Sequence, residues 1–372
     1  MREQSMMLKS VEKILNEILQ PQLAQGWDNV GLLVGDRGDK VRRMLVCIDL
    51  TAAVLAEAKS HRAELILVYH PPIFEPLKRI CAEGQEIIFQ AIRSKIAIYA
   101  IHTALDVLSG GTSDVLADLV DMAERKPIEI VSSPGGKSKL VVFVPYEAKA
   151  LEKVSLAIFQ AGGGQIGEYS CCSFLTAGHG TFKGSMKTHP AVGKAGQFES
   201  VEEMRMEVVV DNEKLPEVVR AMKAVHPYEE PAYDIYPLVN EAGENPGIGR
   251  IGQLPKTMDL KTIAAMIKKR TGLKFLQVAD CGKKKLQRIA VGPGSCGKML
   301  EQLAGKIDLF ITGEIRHHTA LAACRDGISI ICLGHGNSER LALKPLRKIL
   351  MDKLPEVEVV ISTRDSDPLS IL

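Results

Sequence analysis

The sequence predicts an α/β fold in which two related βαβ halves form one domain and a ferredoxin-like α+β insert interrupts them. Two observations predict this arrangement. A succession of aliphatic strands and amphipathic helices near the start of the chain returns near its end, and the segment between follows a different pattern. At 372 residues the chain is also too long for one ordinary core, which favours several domains.

The first half opens with an amphipathic helix, because apolar residues recur every three or four positions in the first twenty residues. Three aliphatic strands with two intervening helices follow it. They are RMLVCIDLT (43–51), the helix AAVLAEAKSH (52–61), AELILVYH (63–70), a helix around GQEIIFQAIRS (84–94) and KIAIYAIHT (95–103). This order predicts parallel strands joined by right-handed crossovers.

The second half repeats the succession. Its elements are QRIAVGPGS (287–295), the helix KMLEQLAG (298–305), IDLFITGEIRHH (307–318), the helix HTALAACRDG (318–327) and ISIICLGHG (328–336). Placing VCIDLT on VGPGSC shifts the numbering by 245, and placing LILVYH on LFITGE shifts it by 244. Two related halves are the economical interpretation of these nearly equal shifts.

The middle of the chain predicts an α+β insert. Strand then helix in 140–162, a strand in 201–210, and helix then strand in 215–238 suggest a ferredoxin-like fold with antiparallel edges. The segments 161–174 and 182–198 are predicted loops. Turn-rich stretches at the borders place a first half at 1–128, the insert at 129–239 and a second half at 240–372.

Composition limits the classes of partner. Forty-seven basic and forty-five acidic residues give a formal net charge of +2, so no electrostatic footprint for nucleic acid or an anionic membrane is expected. The sequence has no apolar stretch of membrane-spanning length and no secretory leader, which predicts a cytoplasmic protein. The eight cysteines lack a C-x-x-C pair and are predicted to be buried thiols.

Histidines and carboxylates stand where predicted strands end. AELILV finishes on Tyr69 and His70, and Pro71 stops the strand from pairing further. The third strand of each half ends in a histidine followed four residues later by a carboxylate, and residues at that spacing share one helix face. The pairs are His102 with Asp106 and His335 with Glu339.

Strand ends of open α/β sheets are where ligands bind, so these side chains are expected to converge. Mixed nitrogen and oxygen donors suit Zn, Mn, Fe or Ni better than Ca or Mg. For any one histidine the alternative is a helix cap or a core hydrogen bond, but convergence from both halves favours a metal site.

The same residues carry a family resemblance. The sequence resembles the NIF3 family, whose members are often labelled GTP cyclohydrolase 1 type 2 homologs, over essentially the whole chain. The matching motifs are GWDNVGLLVG (26–35), HPPIF (70–74), IHTALDV (101–107), ITGEIRHH (311–318), GHGNSER (334–340) and, in the insert, 162–182 and 226–238. The resemblance implies a dinuclear metal site, a PII/CutA-like insert and a homohexameric ring built as a trimer of dimers.

The resemblance also implies metal ligands. The ligand positions of the family fall on His70, Asp106, His335 and Glu339 of this chain. Members usually have His-His-Pro where this chain has Tyr69-His70-Pro71, so a phenol replaces one imidazole. Because a phenol resists deprotonation, Tyr69 either binds metal as phenolate or stands aside, and the second of two divalent ions depends on that choice.

Further residues near these strand ends have open roles. His102 is expected to orient Asp106 as an outer partner of the metal site. Glu314, His317 and His318 end the middle strand of the second half and are candidates for binding substrate or moving protons, with a polar strand end in solvent as the alternative.

A glycine-rich turn allows two interpretations. Gly292, Gly294 and Gly297 form a G-x-G-x-x-G after a strand and before a helix, which is the context of a dinucleotide fingerprint. Pro293 stiffens this turn, so a phosphate seat at a helix start without a dinucleotide is favoured.

The insert motif HPYEEPAYD also allows two interpretations. His226, Glu229 and Glu230 are a candidate metal or effector site. The favoured alternative is that the prolines shape an edge strand whose tyrosines pack at a subunit contact.

Two functions of different class follow. The first is a metal-dependent hydrolase of a nucleotide or pterin-like small molecule, in which the metal lowers the pKa of bound water and Glu314 or a nearby imidazole moves protons. The alternative is a non-catalytic hexamer that binds metal and a small effector through the insert.

Overall fold

The computed structural model describes residues 5–131, 136–238 and 246–369. The chain forms two compact units. One unit is built from Met1–Val131 together with Ala242–Leu372, and the other from Ser132–Glu241. Throughout the described ranges, every helix is too short or too polar to cross a membrane.

The amino-terminal segment of the first unit forms seven strands and five α-helices. In chain order these are β1 (Met6–Met7), α1 (Leu8–Leu19), β2 (Gly31–Val34), β3 (Lys40–Val41), β4 (Arg43–Cys47), α2 (Ala52–Ser60), β5 (Leu65–Val68), α3 (Glu86–Arg93), β6 (Ala97–Ala100), α4 (His102–Val107), α5 (Thr112–Asp118) and β7 (Ala123–Ile130). Strands β4, β5 and β6 are neighbours and parallel, as predicted.

The aliphatic runs explain these strands. All four residues of β5 are fully buried, which is typical of a parallel strand covered on both faces. Helix α1 buries Leu8, Val11, Leu15 and Leu19, the apolar stripe expected of an amphipathic helix. Helix α2 begins after Thr51, whose hydroxyl accepts a hydrogen bond from the amide of Val54.

The carboxyl-terminal segment of this unit forms a second sheet. Its elements are β12 (Gly247–Met258), α8 (Leu260–Thr271), β13 (Gln277–Ala279), β14 (Leu286–Gly292), α9 (Leu300–Leu303), β15 (Leu309–Thr312), α10 (His317–Arg325), β16 (Ser329–Cys332), α11 (His335–Arg340), α12 (Leu343–Lys353) and β17 (Glu358–Ile361). Strands β14, β15 and β16 are parallel neighbours. Each half therefore contains three parallel neighbouring strands in the same order, as predicted.

The two sheets exchange edge elements. Strand β7 pairs with β12 in the second sheet, whose order is β13-β16-β15-β14-β12-β7. Strand β17 pairs with β4, which gives the first sheet the order β17-β4-β5-β6-β2. Helix α12 likewise buries Leu343, Leu346 and Leu350 in the core around β4 and β5. Each half is completed by the other, and local patterns did not predict this exchange.

The second unit has a ferredoxin-like topology. Its elements are β8 (Lys137–Pro145), α6 (Ala148–Gln160), β9 (Ser173–Lys183), β10 (Phe198–Asp211), α7 (Leu215–Val225) and β11 (Tyr233–Pro237). The sheet order is β11-β8-β10-β9, with every pairing antiparallel. The α+β pattern predicted for the insert is therefore observed.

Three sequence-based expectations are corrected. Strand β9 was not predicted, because its eleven residues are mostly exposed and its glycines and polar residues interrupt any apolar alternation. The predicted helix 298–305 contains only the four-residue α9, preceded by a 3-10 turn at Gly297–Met299. All eight cysteines are free thiols, but Cys81 and Cys171 are exposed rather than buried.

Candidate metal centre

The first sheet presents His70 at the carboxyl end of β5. Backbone amides of Tyr69 and His70 continue the ladder by donating to the carbonyls of Cys47 and Ile48, both at 2.9 Å. Pro71 has no amide hydrogen, so pairing stops there. His70 is consequently held at the last paired position of a buried strand, which fixes its direction.

The second sheet presents His335 and Glu339 from α11, the short helix that follows β16. One helical turn separates the two residues, and Glu339 Oε1 lies 3.3 Å from His335 Nε2. The other oxygen, Oε2, lies 3.3 Å from Nε2 of His70. One candidate donor atom from each of the three residues can be chosen so that all lie within 4.8 Å of one another, a group able to hold a metal ion.

In both histidines a carboxylate binds Nδ1, the ring nitrogen that faces away from Glu339. Asp49 Oδ1 lies 2.9 Å from Nδ1 of His70, and Glu314 Oε1 lies 3.1 Å from Nδ1 of His335. Metal-binding histidines commonly give their second nitrogen to a carboxylate, which fixes the tautomer and the ring orientation. In both rings Nε2 is thereby directed at Glu339.

Glu339 has the surroundings expected of a metal ligand. Its side chain is buried, and among the described residues Oε2 is the buried side-chain polar atom left without a hydrogen bond of good geometry. Gly294 makes room for it, because a Cβ at that position would lie 2.5 Å from Glu339 Oε1. A buried carboxylate with one imidazole nitrogen at 3.3 Å from each oxygen, and with Oε2 in no hydrogen bond of good geometry, fits a cation.

The carboxylates around His70 and His335 raise the pKa of both imidazoles. Burial lowers the pKa of His70, but its hydrogen bond with Asp49 and the proximity of Glu339 outweigh this and raise the pKa to about 10. Glu339 raises the pKa of His335 to about 9, and Glu314 adds to the effect against partial burial. Burial raises the pKa of Glu339, but the two imidazoles more than offset it, so this pKa is lowered. Without metal, two imidazolium ions therefore surround one carboxylate.

Tyr69 and Asp106 form a separate buried pair beside this group. The Tyr69 hydroxyl donates a short hydrogen bond to Oδ1 of Asp106 and lies 3.3 Å from Thr112 Oγ1. Burial, with the charges of Asp106 and Glu339, raises the pKa of Tyr69 well above its ordinary value. Burial raises the pKa of Asp106 to about 6, and the hydrogen bond from Tyr69 limits the rise. In the metal-free site Tyr69 is therefore a neutral hydrogen-bond donor to Asp106.

His102 has a partner other than the predicted one. Its Nδ1 lies 2.8 Å from Oδ1 of Asp28, a carboxylate whose side chain is fully buried. Asp28 also accepts hydrogen bonds from the amide and hydroxyl of Thr103. Burial raises the pKa of Asp28, but these bonds and the imidazole reverse the effect and lower it. His102 packs against the His70 ring, with centroids 5.4 Å apart, rather than hydrogen-bonding to Asp106.

The glycine-rich turn packs against the metal group, and the backbone amide of Gly294 is not available to a ligand. The amide of Gly294 donates to Ser338 Oγ at 2.9 Å, so it is not free to bind a phosphate. A Cβ on Gly292 would lie 2.6 Å from Cβ of Cys296, and Gly297 begins a single 3-10 turn before the four-residue α9. The turn therefore lacks the long helix of a dinucleotide site.

The remaining predicted residues lie elsewhere. His317 and His318 are exposed at the start of α10, with their rings edge to face at 5.4 Å. In the insert, His226 Nε2 donates to the carbonyl of Phe143 and Nδ1 accepts from the amide of Tyr228. Burial lowers the pKa of His226, so this histidine is a neutral structural residue. Glu229 accepts a hydrogen bond from the amide of His189.

Asp49 and Asp28 are site residues to which the sequence patterns above assigned no role. Asp49 follows β4 by two residues, and β4 is paired with β5, so the rule that strand ends share one edge would have pointed to it. Asp28 lies in a loop far from its partner in the sequence, and no local signal relates the two.

Comparison with known proteins places this geometry in context. The sequence model of Duf34/NIF3 (NGG1p interacting factor 3) matches residues 6–368. A "GTP cyclohydrolase 1 type 2 homolog" of Halalkalibacterium halodurans is 39% identical over 359 residues, covering 94% of this chain and 95% of the relative. The protein of that name in Bacillus subtilis is 33% identical and covers 93% of each chain.

Solved structures show the same fold. A Bacillus cereus protein related to NIF3 aligns with a TM-score of 0.70 at 33% identity, over 98% of this chain and 99% of the other. Staphylococcus aureus protein SA1388 aligns with a TM-score of 0.78 at 26% identity, over 99% of each chain.

Proposed function

Since this chain belongs to the Duf34/NIF3 family, we propose that it is a metal-dependent hydrolase of a nucleotide or pterin-like small molecule. One observation carries the proposal. The imidazoles of His70 and His335 come from different sheets and point at one buried carboxylate, Glu339, whose Oε2 makes no hydrogen bond of good geometry. Buried side-chain oxygens are seldom left without a well-formed hydrogen bond.

His70, His335 and Glu339 would hold the ion. A bound divalent metal supplies a water of lowered pKa and polarises the substrate. Asp49 and Glu314 keep Nε2 of each histidine directed at the ion by binding Nδ1. Glu314 is about half exposed, so its carboxylate is accessible to a substrate proton as well as to His335.

A second ion would use Asp106. Its carboxylate lies beside the first group and feels the charge of Glu339. The position that the family usually fills with histidine holds Tyr69, a neutral donor that occupies one oxygen of Asp106. We therefore expect the second site to bind metal more weakly than the first.

The substrate class is inferred from relatives. Proteins 33–39% identical over more than nine-tenths of this chain are named GTP cyclohydrolase 1 type 2 homologs. That name supports a purine nucleotide or a related pterin, and the metal group is suited to hydrolytic chemistry on either.

The experiment compares wild type with Glu339→Gln, a substitution of nearly equal shape. Protein purified without added metal should contain zinc or a transition metal, and Glu339→Gln should lose most of it and the hydrolysis of GTP. Glu207→Gln is the control, because Glu207 is a partly buried carboxylate of the insert, bonded to Arg205. Unchanged metal content in Glu339→Gln, or hydrolysis that does not depend on metal, would reject the proposal.

A non-catalytic metal- and effector-binding protein is the second candidate. A cavity of about 290 Å³ in the insert favours it, lined among others by Phe182, Glu203, Tyr228 and Glu230. Metal-loaded protein that binds nucleotides without converting them would support this candidate over the hydrolase.

We also propose a homo-oligomer, with a hexameric trimer of dimers as the expected form. The outer edge of β9 is unpaired within the described sheet, and most of its eleven residues are exposed. Long exposed edge strands are usually covered by another chain. A monomer at micromolar concentration in sedimentation velocity would contradict this proposal.

A further inference from the structure

We propose that Trp27 and Phe74 form a stacking platform for the planar heteroaromatic ring of the ligand, beside the metal centre. The inference rests on the proposed function, because it names the part of the substrate that this site recognises. The two side chains are called the aromatic platform below.

The aromatic platform is continuous with the metal centre. The Trp27 ring lies 5.9 Å from Phe74 and 5.9 Å from His102. His102 lies 5.4 Å from His70, which lies 5.5 Å from His335. A row of five rings therefore runs from the platform to the imidazoles that face Glu339.

Both platform rings face solvent. Trp27 is 60% exposed and Phe74 is 48% exposed. Their planes are inclined at 48°, so they do not stack on each other. Burial of aromatic rings is strongly favourable, so two neighbouring exposed rings indicate a surface that another molecule covers. Because these two rings lie at the edge of the metal centre, we infer that the covering molecule is its ligand.

The backbone that carries these rings is fixed. The amide of Gln25 donates to Thr103 Oγ1 at 3.0 Å, and Asp28 is bonded to His102 and Thr103. The amide side chain of Asn29 donates to the carbonyl of Ile73 at 2.6 Å, which joins the Trp27 segment to the Phe74 segment. Rigid positioning of an exposed aromatic lowers the entropic cost of binding.

The chemistry of the platform favours a planar aromatic ring over a phosphate, because its two side chains carry no charge. The rings offer π-faces, and Asp28, which follows Trp27 in the chain, has a buried side chain already bonded to His102. Stacking on an aromatic side chain is worth about 1–3 kcal/mol per base and tolerates any planar heterocycle. A purine or pterin ring on the platform would place its substituents toward the metal centre.

The chain offers a direct probe, because Trp27 is its only tryptophan. Guanosine and pterin are added separately to full-length, metal-loaded protein while tryptophan fluorescence is recorded, with ribose as the ring-free control. At least one of the two rings should quench the fluorescence saturably, and ribose should not. Isothermal titration calorimetry gives the Kd of the same ring for the variants.

We expect Trp27→Leu to weaken ring binding by about 5- to 150-fold, because stacking is worth about 1–3 kcal/mol, and Trp27→Phe to weaken it no more than about threefold. Phe74→Leu should weaken it severalfold. Phe275→Leu is the matched control, since Phe275 is 58% exposed in the same unit, and it should change nothing. Metal content should stay at the wild-type value in all four variants.

The outcomes separate this inference from the proposed function. Ring binding that depends on Trp27 in a protein that hydrolyses nothing would keep the platform and reject the hydrolase. Metal-dependent hydrolysis with unchanged KM and ring affinity in Trp27→Leu would reject the platform and keep the hydrolase. Absence of ring binding in the wild type, or self-association that Trp27→Leu abolishes, would also overturn the platform.

Discussion

The hydroxyl of Tyr69 donates a hydrogen bond to a carboxylate oxygen of Asp106, and both side chains are buried. The family resemblance implies a histidine at this position, and the Tyr69 hydroxyl instead occupies an oxygen of Asp106 that a cation would otherwise use. We therefore expect Tyr69 and Asp106 to decide how tightly a second metal ion binds.

We predict that Tyr69→His raises the zinc stoichiometry or tightens the weaker of two sites. The substitution replaces a neutral donor of raised pKa by an imidazole that can bind metal next to Asp106. Titration of metal-free protein with zinc, followed by calorimetry, measures both sites.

Tyr99→Phe is the control for this substitution. Tyr99 is also a buried tyrosine of the first sheet, but its hydroxyl donates to Asn16 at 2.6 Å. Two equally tight sites in the wild type, unaffected by Tyr69→His, would make Tyr69 a bystander.

Asp49→Asn should weaken metal binding by about 10- to 100-fold while the protein stays folded. Asp49 binds Nδ1 of His70, and loss of its charge removes the group that fixes the ring tautomer. Competition with a chelator of known affinity measures the change. Asp326→Asn, an exposed aspartate after α10, is the control. Equal affinities of Asp49→Asn and wild type would show that Asp49 does not position His70.

We predict that Glu57 makes stability fall in acid. Although burial raises its pKa, hydrogen bonds from Ser362, Thr363 and Arg364 lower it from 4.5 to about 2. A lowered pKa in the folded state means that stability is complete above about 4.5 and lost as the pH falls toward about 2. The full contribution is on the order of 3 kcal/mol.

Urea unfolding of wild type and Glu57→Gln from pH 7 to pH 3 tests this. The variant should be less stable at pH 7 and should lose less stability between pH 5 and pH 3. Parallel pH profiles for the two proteins would show that Glu57 does not carry the effect. Glu358→Gln, an exposed glutamate on β17, controls for a general charge effect.

Removing the insert should leave a folded metal-binding core. The amide of Val131 donates to the carbonyl of Pro246 at 2.9 Å, so the two ends of the core strands β7 and β12 are adjacent. A short glycine linker in place of residues 132–245 therefore needs to span only the short distance between Val131 and Pro246. Circular dichroism and metal content measure the outcome, and an insoluble product without metal would mean that the core needs the insert.

Sequence patterns determined much of the core of the first unit. Continuous aliphatic runs predicted β4, β5 and β6 and their counterparts β14, β15 and β16, because a strand buried on both faces carries a signal in its own residues. The proximity of His335 and Glu339 was likewise predictable from local sequence, since helical geometry alone brings residues four apart together.

The pairing of the exchanged strands β7 and β17 could not be predicted from local sequence. Nothing in β17 indicates that it pairs with β4 more than three hundred residues earlier, and β7 pairs with β12 across the insert. A strand's partner is set by long-range packing rather than by its own propensity.

The sequence by itself determined that three histidines and two carboxylates stand at the ends of strands and short helices. Only the tertiary structure decided their partners: Asp49 for His70, Asp28 for His102, and Tyr69 for Asp106. The physical reason is that a side-chain hydrogen bond forms between atoms within about 3 Å, and that proximity arises only when separate strand ends are assembled at one sheet edge.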